Sequence, residues 1–350
     1  MPSTDRQTPN LPPTTPEELD RLISAPSAAV CEAVRSCAGD VVVLGAGGKM
    51  GLHLAQMLRR ALQQLGDDRR VIAVSRFQNA DSSASFHRHG IETLSADLSR
   101  AEDYPSLPAA ANVFFLAGVK FGTGSSPELL RQMNVEMPAR VAEHYHASRI
   151  VAMSTGCVYS FTTPQSGGSL ETDATDPPGD YARSCLGREQ AFIDGSLRHG
   201  TPVALIRLNY SVEMRYGVLV DIAIKVLRGQ PFDVGMGYAN VIWQGDAIAQ
   251  IIRSLPLTSS PPPVLNVTGR EVLRVRDLAE RFARRLGTTA KIEGTEGPTA
   301  WLSNSSLAAE LFGEPSVDLA TLIDWTSDWI AHGRELLGKP THFENREGKY

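Results

Sequence analysis

Three glycines, one at every third residue, stand between an apolar run and a helical pattern. Gly45, Gly48 and Gly51 belong to the segment Gly45-Ala46-Gly47-Gly48-Lys49-Met50-Gly51. A dinucleotide needs a tight turn, a backbone that comes close to its pyrophosphate, and helix N-terminal amides that point at the negative charge. Glycines at these positions supply all three. The segment, with Lys49 and Met50, is therefore predicted to bind a dinucleotide rather than to be a glycine-rich turn without a ligand.

The elements around this turn predict the fold. The apolar run before it, 41–44, is typical of a strand that is buried on both faces of a parallel sheet. After it, leucines and alanines recur at helical spacing until Gly66 ends the helix. Further strands are predicted at 71–74, 91–94, 113–116, 149–153, 202–208 and 264–268, with helices from Ser126 and over 275–286. Alternating strands and helices predict an α/β fold with a doubly wound, Rossmann-like parallel sheet.

The flanking segments differ from this pattern and suggest a division of the chain. Residues 1–14 are rich in Pro and Thr and are predicted to be a disordered tail. A helical extension is expected over 15–39 and the dinucleotide-binding domain over 40–200. A smaller, mixed, mainly substrate-binding part is expected over 201–335, and a C-terminal tail over 336–350.

Composition excludes several classes of protein. The 350 residues are 42% hydrophobic and 21% charged, with a formal net charge of -5, which disfavours binding to nucleic acid or anionic membranes. No segment approaches the roughly 20 apolar residues of a membrane-spanning helix. The N-terminus lacks the pattern of a signal peptide, so a cytoplasmic protein is expected. Four cysteines without a CxxC pair predict neither a disulfide framework nor a metal site.

Several motifs follow the glycine turn in a recognisable order. They are Asp97-Leu98, Leu116-Ala117-Gly118-Val119-Lys120, Met133-Asn134-Val135, Asp246-Ala247-Ile248-Ala249 and Leu265-Asn266-Val267-Thr268-Gly269. Together they resemble the extended short-chain dehydrogenase/reductase superfamily, in particular the NAD-dependent epimerase/dehydratase family typified by UDP-galactose 4-epimerase. The resemblance implies that Asp97 and Leu98 approach the adenine. It also implies that Leu116, Ala117, Gly118 and Lys120 contact the cofactor and that Asn134 has a structural and proton-relay role.

The residues at the end of the second strand bear on which nicotinamide cofactor binds. Ser75 and Arg76 stand where NAD-preferring relatives usually carry Asp or Glu. A carboxylate there accepts hydrogen bonds from the ribose 2′-hydroxyl and repels a 2′-phosphate, whereas arginine favours the phosphate. The cofactor is predicted to be NADP or NAD, with NADP preferred. Arg76 could instead be a solvated charge or stack on the adenine without discriminating.

Two hydroxyl residues are candidates for the reaction itself. Thr155 lies in Ser154-Thr155-Gly156-Cys157-Val158-Tyr159, which is similar to the family's SSxxVY segment. Tyr181 follows an acidic and proline-containing segment similar to the one before the family's catalytic tyrosine. The resemblance implies that Thr155 holds the reacting oxygen, and that Tyr181 moves its proton and contacts the cofactor.

Cys185 departs from the family pattern. The family motif is YxxxK, whose lysine binds the nicotinamide ribose and lowers the tyrosine pKa, but this chain reads Tyr181-Ala182-Arg183-Ser184-Cys185. A neutral thiol cannot replace that charge. Lys120 or Arg188 could supply it, since Arg188 lies at i+7 on nearly the same helical face as Tyr181. Alternatively, Tyr181 acts as a proton donor, for which a high pKa is no obstacle, or the positive nicotinamide ring supplies the missing charge. Two further alternatives are that Cys185 acts as a nucleophile and that catalysis is lost.

The substrate is expected to be a sugar or nucleotide sugar, the common class in this family. Asn209, Tyr210, Arg215 and Trp243 are predicted substrate contacts, and Tyr216 is a further candidate. The sequence therefore predicts an NAD(P)-dependent epimerase, dehydratase or reductase that works by hydride transfer. The family resemblance also allows for a homodimer. The alternative is a catalytically impaired NAD(P)-binding sensor or scaffold.

Overall fold

The computed structural model describes residues 11–77, 80–119, 126–339 and 341–346. The α-helices in these ranges are α1 Pro16–Ile23, α2 Ala28–Ser36, α3 Gly51–Leu65, α4 Ala80–His87, α5 Pro127–Arg131, α6 Met137–His144, α7 Asp180–His199, α8 Val218–Leu227, α9 Gln244–Arg253, α10 Val275–Leu286, α11 Ser306–Phe312 and α12 Leu319–Ala331. A π-helix over Gln132–Glu136 joins α5 to α6.

The strands are short, as expected for strands buried between helices. They are β1 Val41–Leu44, β2 Val71–Ser75, β3 Glu92–Ser95, β4 Asn112–Phe115, β5 Arg149–Thr155, β6 Val203–Leu208, β7 Ser211–Val212, β8 Pro231–Asp233, β9 Tyr238–Ala239, β10 Ile242–Trp243, β11 Val264–Val267, β12 Leu273–Arg274 and β13 Lys291–Glu293. The predicted strands are all present, with ends shifted by one or two residues.

Seven strands form one parallel sheet in the order β11-β6-β5-β4-β1-β2-β3. The chain runs outward from β1 to β3, then returns to β4 and runs outward in the other direction. This order reverses between β1 and β4, which is where α/β sheets bind ligands beyond the carboxyl ends of their strands. The predicted doubly wound, Rossmann-like fold class is confirmed. Strands β6 and β11 come from the segment expected to be mainly substrate-binding, so that segment also completes the sheet.

Alternating side chains of the central strand β1 pack into two separate hydrophobic cores. Val41 and Val43 of β1 belong to one core, where helices α2, α3 and α9 cover the sheet. Val42 and Leu44 belong to the other core, which contains residues of α6 and α7. All four side chains are at most 2% exposed. The uninterrupted apolar run of β1 thus reflects a strand with helices on both faces.

Helices α1 and α2 form the predicted N-terminal extension and dock on α3 and α9. A buried polar network joins them: Nδ1 of His53 in α3 accepts from the Gln244 amide at 2.9 Å, and its Nε2 donates to Asp20 of α1 at 2.8 Å. Asp20 also accepts from Arg215 at 2.8 Å, and Arg215 pairs with Glu213. The extension is thereby tied both to the helix that follows the glycine turn and to the loop after β7.

The remaining strands form three two-stranded pairs outside the main sheet. Strand β7 pairs with β10 and β8 with β13, both parallel, whereas β9 pairs antiparallel with β12. This mixed arrangement agrees with the predicted smaller, mixed part of the fold. Over the described ranges, no helix is both long and apolar enough to cross a membrane.

Candidate active site

A cavity of about 400 Å³ lies beyond the carboxyl ends of β1 to β4, at the point where the strand order reverses. Its lining consists of residues from the glycine turn, from the ends of β2, β3 and β4, and from the π-helix region: Gly45, Gly47, Gly48, Ser75, Arg76, Phe77, Ser82, Ala96, Asp97, Leu98, Leu116, Ala117, Gly118, Met133 and Met137. Most of the predicted cofactor contacts are thus brought together around one cavity.

The glycine turn is shaped by close backbone approaches. Gly45 has a φ of +77°, and a Cβ at this position would lie 2.5 Å from the backbone nitrogen of Ala117. Gly51 begins α3, and a Cβ there would overlap the carbonyl group of Ala46. Only residues without a side chain fit both positions. The turn therefore presents bare backbone and the N-terminus of α3, the arrangement that a pyrophosphate requires.

Lys49 and Met50 do not line the cavity. Met50 is the N-cap residue of α3. The Lys49 ammonium lies 3.1 Å from the centre of the Tyr216 ring, a cation–π contact between the glycine turn and the loop after β7. These residues position the turn, and Tyr216 is engaged in that contact.

Charged groups meet at the ends of β2 and β3. Arg76 is exposed, and its backbone carbonyl accepts from Ser95 at 3.0 Å. Burial raises the pKa of Asp97, but hydrogen bonds from Ser99 and the charge of Arg76 outweigh it and lower that pKa below its ordinary value. An ionised carboxylate and a guanidinium thus face the same end of the cavity.

Asn134 connects the loop after β4 to α7. Its amide donates to the Val119 carbonyl at 3.1 Å and to Ser184 Oγ at 2.8 Å, while its oxygen accepts from the Val119 amide at 3.2 Å. The same oxygen accepts from Arg188 Nη2 at 2.5 Å. Asn134 is fully buried and lies in the π-helix, so all these bonds form inside the protein. Lys120, predicted for this loop, lies outside the described residues.

Tyr181 lies in the first turn of α7, where its hydroxyl is hydrogen-bonded to Cys185. Desolvation raises the pKa of Tyr181 well above its ordinary value; the Cys185 and Cys157 thiols add to this effect and the charge of Arg188 opposes it. Burial likewise raises the pKa of Cys185, against the charge of Arg188. Without cofactor or substrate, the Tyr181 hydroxyl and the Cys185 thiol are therefore both protonated at neutral pH.

Thr155 is at the carboxyl end of β5. Its Oγ1 accepts from the Cys157 amide at 3.2 Å and so caps the short turn Gly156–Val158. This bond orients the hydroxyl oxygen while its hydrogen can still be donated. Tyr181 packs against a buried cluster of Val158, Tyr159 and Cys185, so the structure brings the Thr155 segment and Tyr181 to one place.

Arg188, two helical turns after Tyr181 in α7, is buried, with 7% of its surface exposed. Besides Asn134, its guanidinium donates to the Met153 carbonyl at 3.2 Å, while its Nε has no hydrogen-bond partner. A Cβ on Gly118 would overlap Arg188 Nη2, so the guanidinium packs directly on the backbone of a cavity-lining residue. A permanent positive charge thus sits between the cofactor cavity and Tyr181.

The next residue of α7 holds a second buried charge. Glu189 pairs with Arg207 of β6 at 2.7 Å and accepts from Ser154 at 2.5 Å. Arg207 also donates to the Tyr159 hydroxyl at 2.7 Å. This network fixes the carboxyl ends of β5 and β6 against α7. Sequence reasoning did not find it, because no local pattern links residues so far apart.

The predicted substrate contacts occupy different surroundings. Asn209 is 3% exposed and donates to Asn240 at 2.9 Å. Tyr210 has a φ of +40° and is close enough to Cys157 for that thiol to raise its pKa, after burial as the main cause. Arg215 is engaged with Glu213 and Asp20. Trp243 is 3% exposed, and its ring contacts that of Trp325. The structure therefore places Tyr210 near Cys157, and Asn209 against Gly156 of the same turn, since a Cβ on Gly156 would lie 3.0 Å from the Cβ of Asn209.

Some cavity residues were not singled out from the sequence: Gly47, Phe77, Ser82, Ala96, Met133 and Met137. Ala96 and Phe77 each adjoin a residue that was, since they flank Asp97 and Arg76. Met137 could be found only from the fold, because it lies at the start of α6 after the π-helix. Within the described ranges, no cluster of three or more metal-binding side chains is found.

A protein-family model matches part of this chain. Residues 41–211 match the sequence model of the NAD dependent epimerase/dehydratase family. A search of curated proteins finds no match.

Solved structures provide an independent comparison. UDP-glucuronic acid 4-epimerase from Bacillus cereus, solved with UDP-glucuronic acid and NAD, is 17% identical with a TM-score of 0.69, over 84% of this chain and 99% of that one. UDP-glucose 4-epimerase from Thermus thermophilus, solved with NAD, is 19% identical with a TM-score of 0.66, over 83% and 98%. At these identities the likeness establishes a shared fold.

Gly45→Ala tests whether the turn depends on its approach to the backbone of Ala117. Gly66 is a matched control, because its φ is +65° but no atom lies within 4 Å of its Cβ position. Gly66→Ala should cost about 1–2 kcal/mol of unfolding free energy, the cost of the left-handed backbone alone. Gly45→Ala should cost clearly more and weaken NAD binding. Urea unfolding and calorimetric titration measure both effects, and equal losses of stability would contradict the close-approach argument.

Proposed function

Residues 41–211 of this chain belong to the NAD-dependent epimerase/dehydratase family, and on this premise we propose that the protein transfers hydride between bound NAD(P) and a nucleotide sugar. The observation that carries the proposal is the position of Tyr181. It stands at the start of α7, hydrogen-bonded to Cys185 and within the field of Arg188, next to the turn that follows Thr155.

Residues around the cavity fit a dinucleotide. The backbone of Gly45 to Gly51 would hold the pyrophosphate, Asp97 and Leu98 the adenosine, and Leu116 to Gly118 the nicotinamide half. The cofactor supplies the hydride acceptor and donor. We favour NADP over NAD because Arg76, rather than a carboxylate, follows Ser75 at the edge of the cavity.

Tyr181 carries the proton in this mechanism. Because desolvation holds its pKa high, Tyr181 is protonated at neutral pH and is prepared to donate to the oxygen of a keto sugar as hydride arrives. In the reverse direction it must accept the proton of the sugar hydroxyl. That step needs a nearby positive charge, because a buried tyrosinate is otherwise costly.

Arg188 is the described residue best placed to provide this charge. Its guanidinium is buried against Gly118 and opposes the rise that burial causes in the pKa of both Tyr181 and Cys185. Asn134 and the Met153 carbonyl hold it in place, so the charge is fixed before substrate binds. Lys120 remains a second candidate. In this arrangement the Cys185 thiol is a neutral hydrogen-bond partner that orients the Tyr181 hydroxyl.

Thr155 would hold the reacting oxygen. Its Oγ1 is oriented by the Cys157 amide, and its O–H can donate to the substrate oxygen. Tyr210 and Asn209, which directly follow β6, are proposed to contact the sugar. The partners of Arg215, Glu213 and Asp20, favour a role in positioning the loop after β7 rather than in binding substrate. No contact among the described residues favours the alternative of a catalytically impaired, NAD(P)-binding sensor.

The cofactor preference depends on Arg76. Arg76→Ala should weaken NADP binding about tenfold, because a charge-assisted hydrogen bond to the 2′-phosphate is lost, and should leave NAD binding nearly unchanged. Arg228→Ala, which removes an exposed arginine of the loop after α8, is the matched control. Calorimetric titration with both nucleotides measures the effect. Tighter binding of NAD in the native protein, with no response to Arg76→Ala, would reject the NADP preference.

Tyr181→Phe tests the proton transfer. The variant should lose about 10²–10⁴-fold in hydride transfer while cofactor affinity is nearly unchanged, since the hydroxyl serves the reaction more than binding. Single-turnover absorbance of the reduced nicotinamide, with UDP-glucose and UDP-glucuronic acid as probes, reports the rate. Tyr238→Phe in β9 is the control for loss of a phenol outside the site. Unimpaired turnover would remove Tyr181 from the mechanism.

Cys185→Lys tests whether Arg188 already fills the electrostatic role. A second cation beside Arg188 should bring little gain in turnover at neutral pH and should destabilise the protein, because the position is fully buried. Cys185→Met adds comparable bulk without charge and separates the two causes. The pH profile of reduced-cofactor formation and urea unfolding are measured for both variants. An inactive native protein with a large gain at neutral pH in Cys185→Lys would favour the impaired sensor.

A further inference from the structure

A second cavity, of about 270 Å³, lies on the outer side of α3, next to the turn that joins α4 to β3. It is lined by Gln56, Arg59, Arg60, Gln63, Arg88, His89 and Gly90. None of these residues lines the dinucleotide cavity. We call this feature the arginine pocket.

The charges of the arginine pocket are all of one sign. Three guanidinium groups and one imidazole line it, and no carboxylate does. Across the described part of the chain, Arg59, Arg60 and Arg88 form no salt bridge, although most other arginines there do. Two carboxylates act on these groups from outside the lining: Asp20 on Arg60 and His89, and Asp67 on Arg59. Each is already paired with another arginine, Asp20 with Arg215 and Asp67 with Arg69, so the pocket keeps a local excess of positive charge.

The three arginines are held by neutral groups instead. Arg59 Nη1 donates to the Arg69 carbonyl at 3.2 Å, Arg60 Nη1 to the Arg21 carbonyl at 3.0 Å, and Arg88 Nη2 to Ser85 Oγ at 3.1 Å. Such partners fix the direction of a guanidinium without cancelling its charge.

One buried donor of the pocket is left without a partner. Over the described residues, Arg59 Nε is buried and has no hydrogen-bond partner. A buried donor without a partner is costly, typically by about 1–3 kcal/mol. Its presence beside an excess of positive charge indicates that an acceptor belongs in the pocket.

Mutual repulsion supports the same conclusion. Burial first, and then the charge of Arg21, lower the pKa of Arg60 against the smaller opposing effect of Asp20. Burial, Arg60 and Arg88 lower the pKa of His89, and Asp20 again opposes them. An anion in the pocket would relieve both the repulsion and the loss of solvation.

We propose that the arginine pocket binds the phosphate or diphosphate group of a small molecule. A phosphate offers several oxygens and more than one negative charge, which matches three guanidinium groups and an amide donor better than a single carboxylate does. The volume exceeds the needs of one tetrahedral anion and has room for a diphosphate. This site is separate from the dinucleotide cavity and does not depend on the function proposed above.

Calorimetric titration of the full chain with inorganic pyrophosphate tests the proposal, and a repeat with NAD present to fill the dinucleotide cavity shows whether NAD competes for the arginine pocket. Saturable binding is expected, and Arg59→Gln/Arg88→Gln should weaken it by about tenfold or more, since two charge-assisted contacts are lost. Arg228→Gln, at an exposed arginine of the loop after α8, is the matched control and should bind as the native protein does. ADP is the second probe: tighter binding than pyrophosphate identifies a nucleotide ligand, and equal binding a free diphosphate.

Three results would overturn the proposal. They are no saturable binding to the native protein, equal weakening by Arg228→Gln, and unchanged affinity in the double variant. Should the double variant fail to fold by urea unfolding, Arg88→Gln alone serves, because Arg88 is exposed and its loss should still weaken binding severalfold.

Discussion

The site depends on how two adjacent buried charges of α7 are satisfied. Arg188 and Glu189 are 7% and 4% exposed, and an unpaired charge at such a position typically costs about 3–5 kcal/mol. Arg188 finds its partners in Asn134 of the π-helix and the end of β5, while Glu189 pairs with Arg207 of β6. Meeting both requirements fixes α7 against the carboxyl ends of these strands, and with it the place of Tyr181.

This constraint also explains how the chain can tolerate Cys185. The thiol is fully buried and hydrogen-bonded to Tyr181, so it adds no charge to a desolvated position. In the proposed mechanism the positive charge comes instead from Arg188, which Asn134 and a backbone carbonyl hold in place. The electrostatic role of the family's lysine would then belong to Arg188, and the Cys185 thiol would serve only as a neutral hydrogen-bond partner of the phenol.

The N-terminal extension acts on the same site from the opposite side of the glycine turn. Asp20 of α1 binds His53, in the first turn of α3, and also Arg215, which pairs with Glu213. Tyr216 follows in that loop and its ring contacts Lys49 of the turn. A closed circuit of contacts thus joins the extension, the dinucleotide turn and the loop after β7, so that movement of any one part would strain the other two.

The sequence alone determined the strands, the doubly wound order of elements and the glycine turn, because these depend on local periodicity and on residues without side chains. It also indicated Tyr181 and the cofactor residues around the cavity, through motifs in a fixed order. Only the tertiary structure decided that Arg188 packs on Gly118, that Glu189 pairs with Arg207, and that the Trp243 side chain is buried in the core. Such contacts join residues distant in sequence, and burial and charge pairing select them only once the chain has folded.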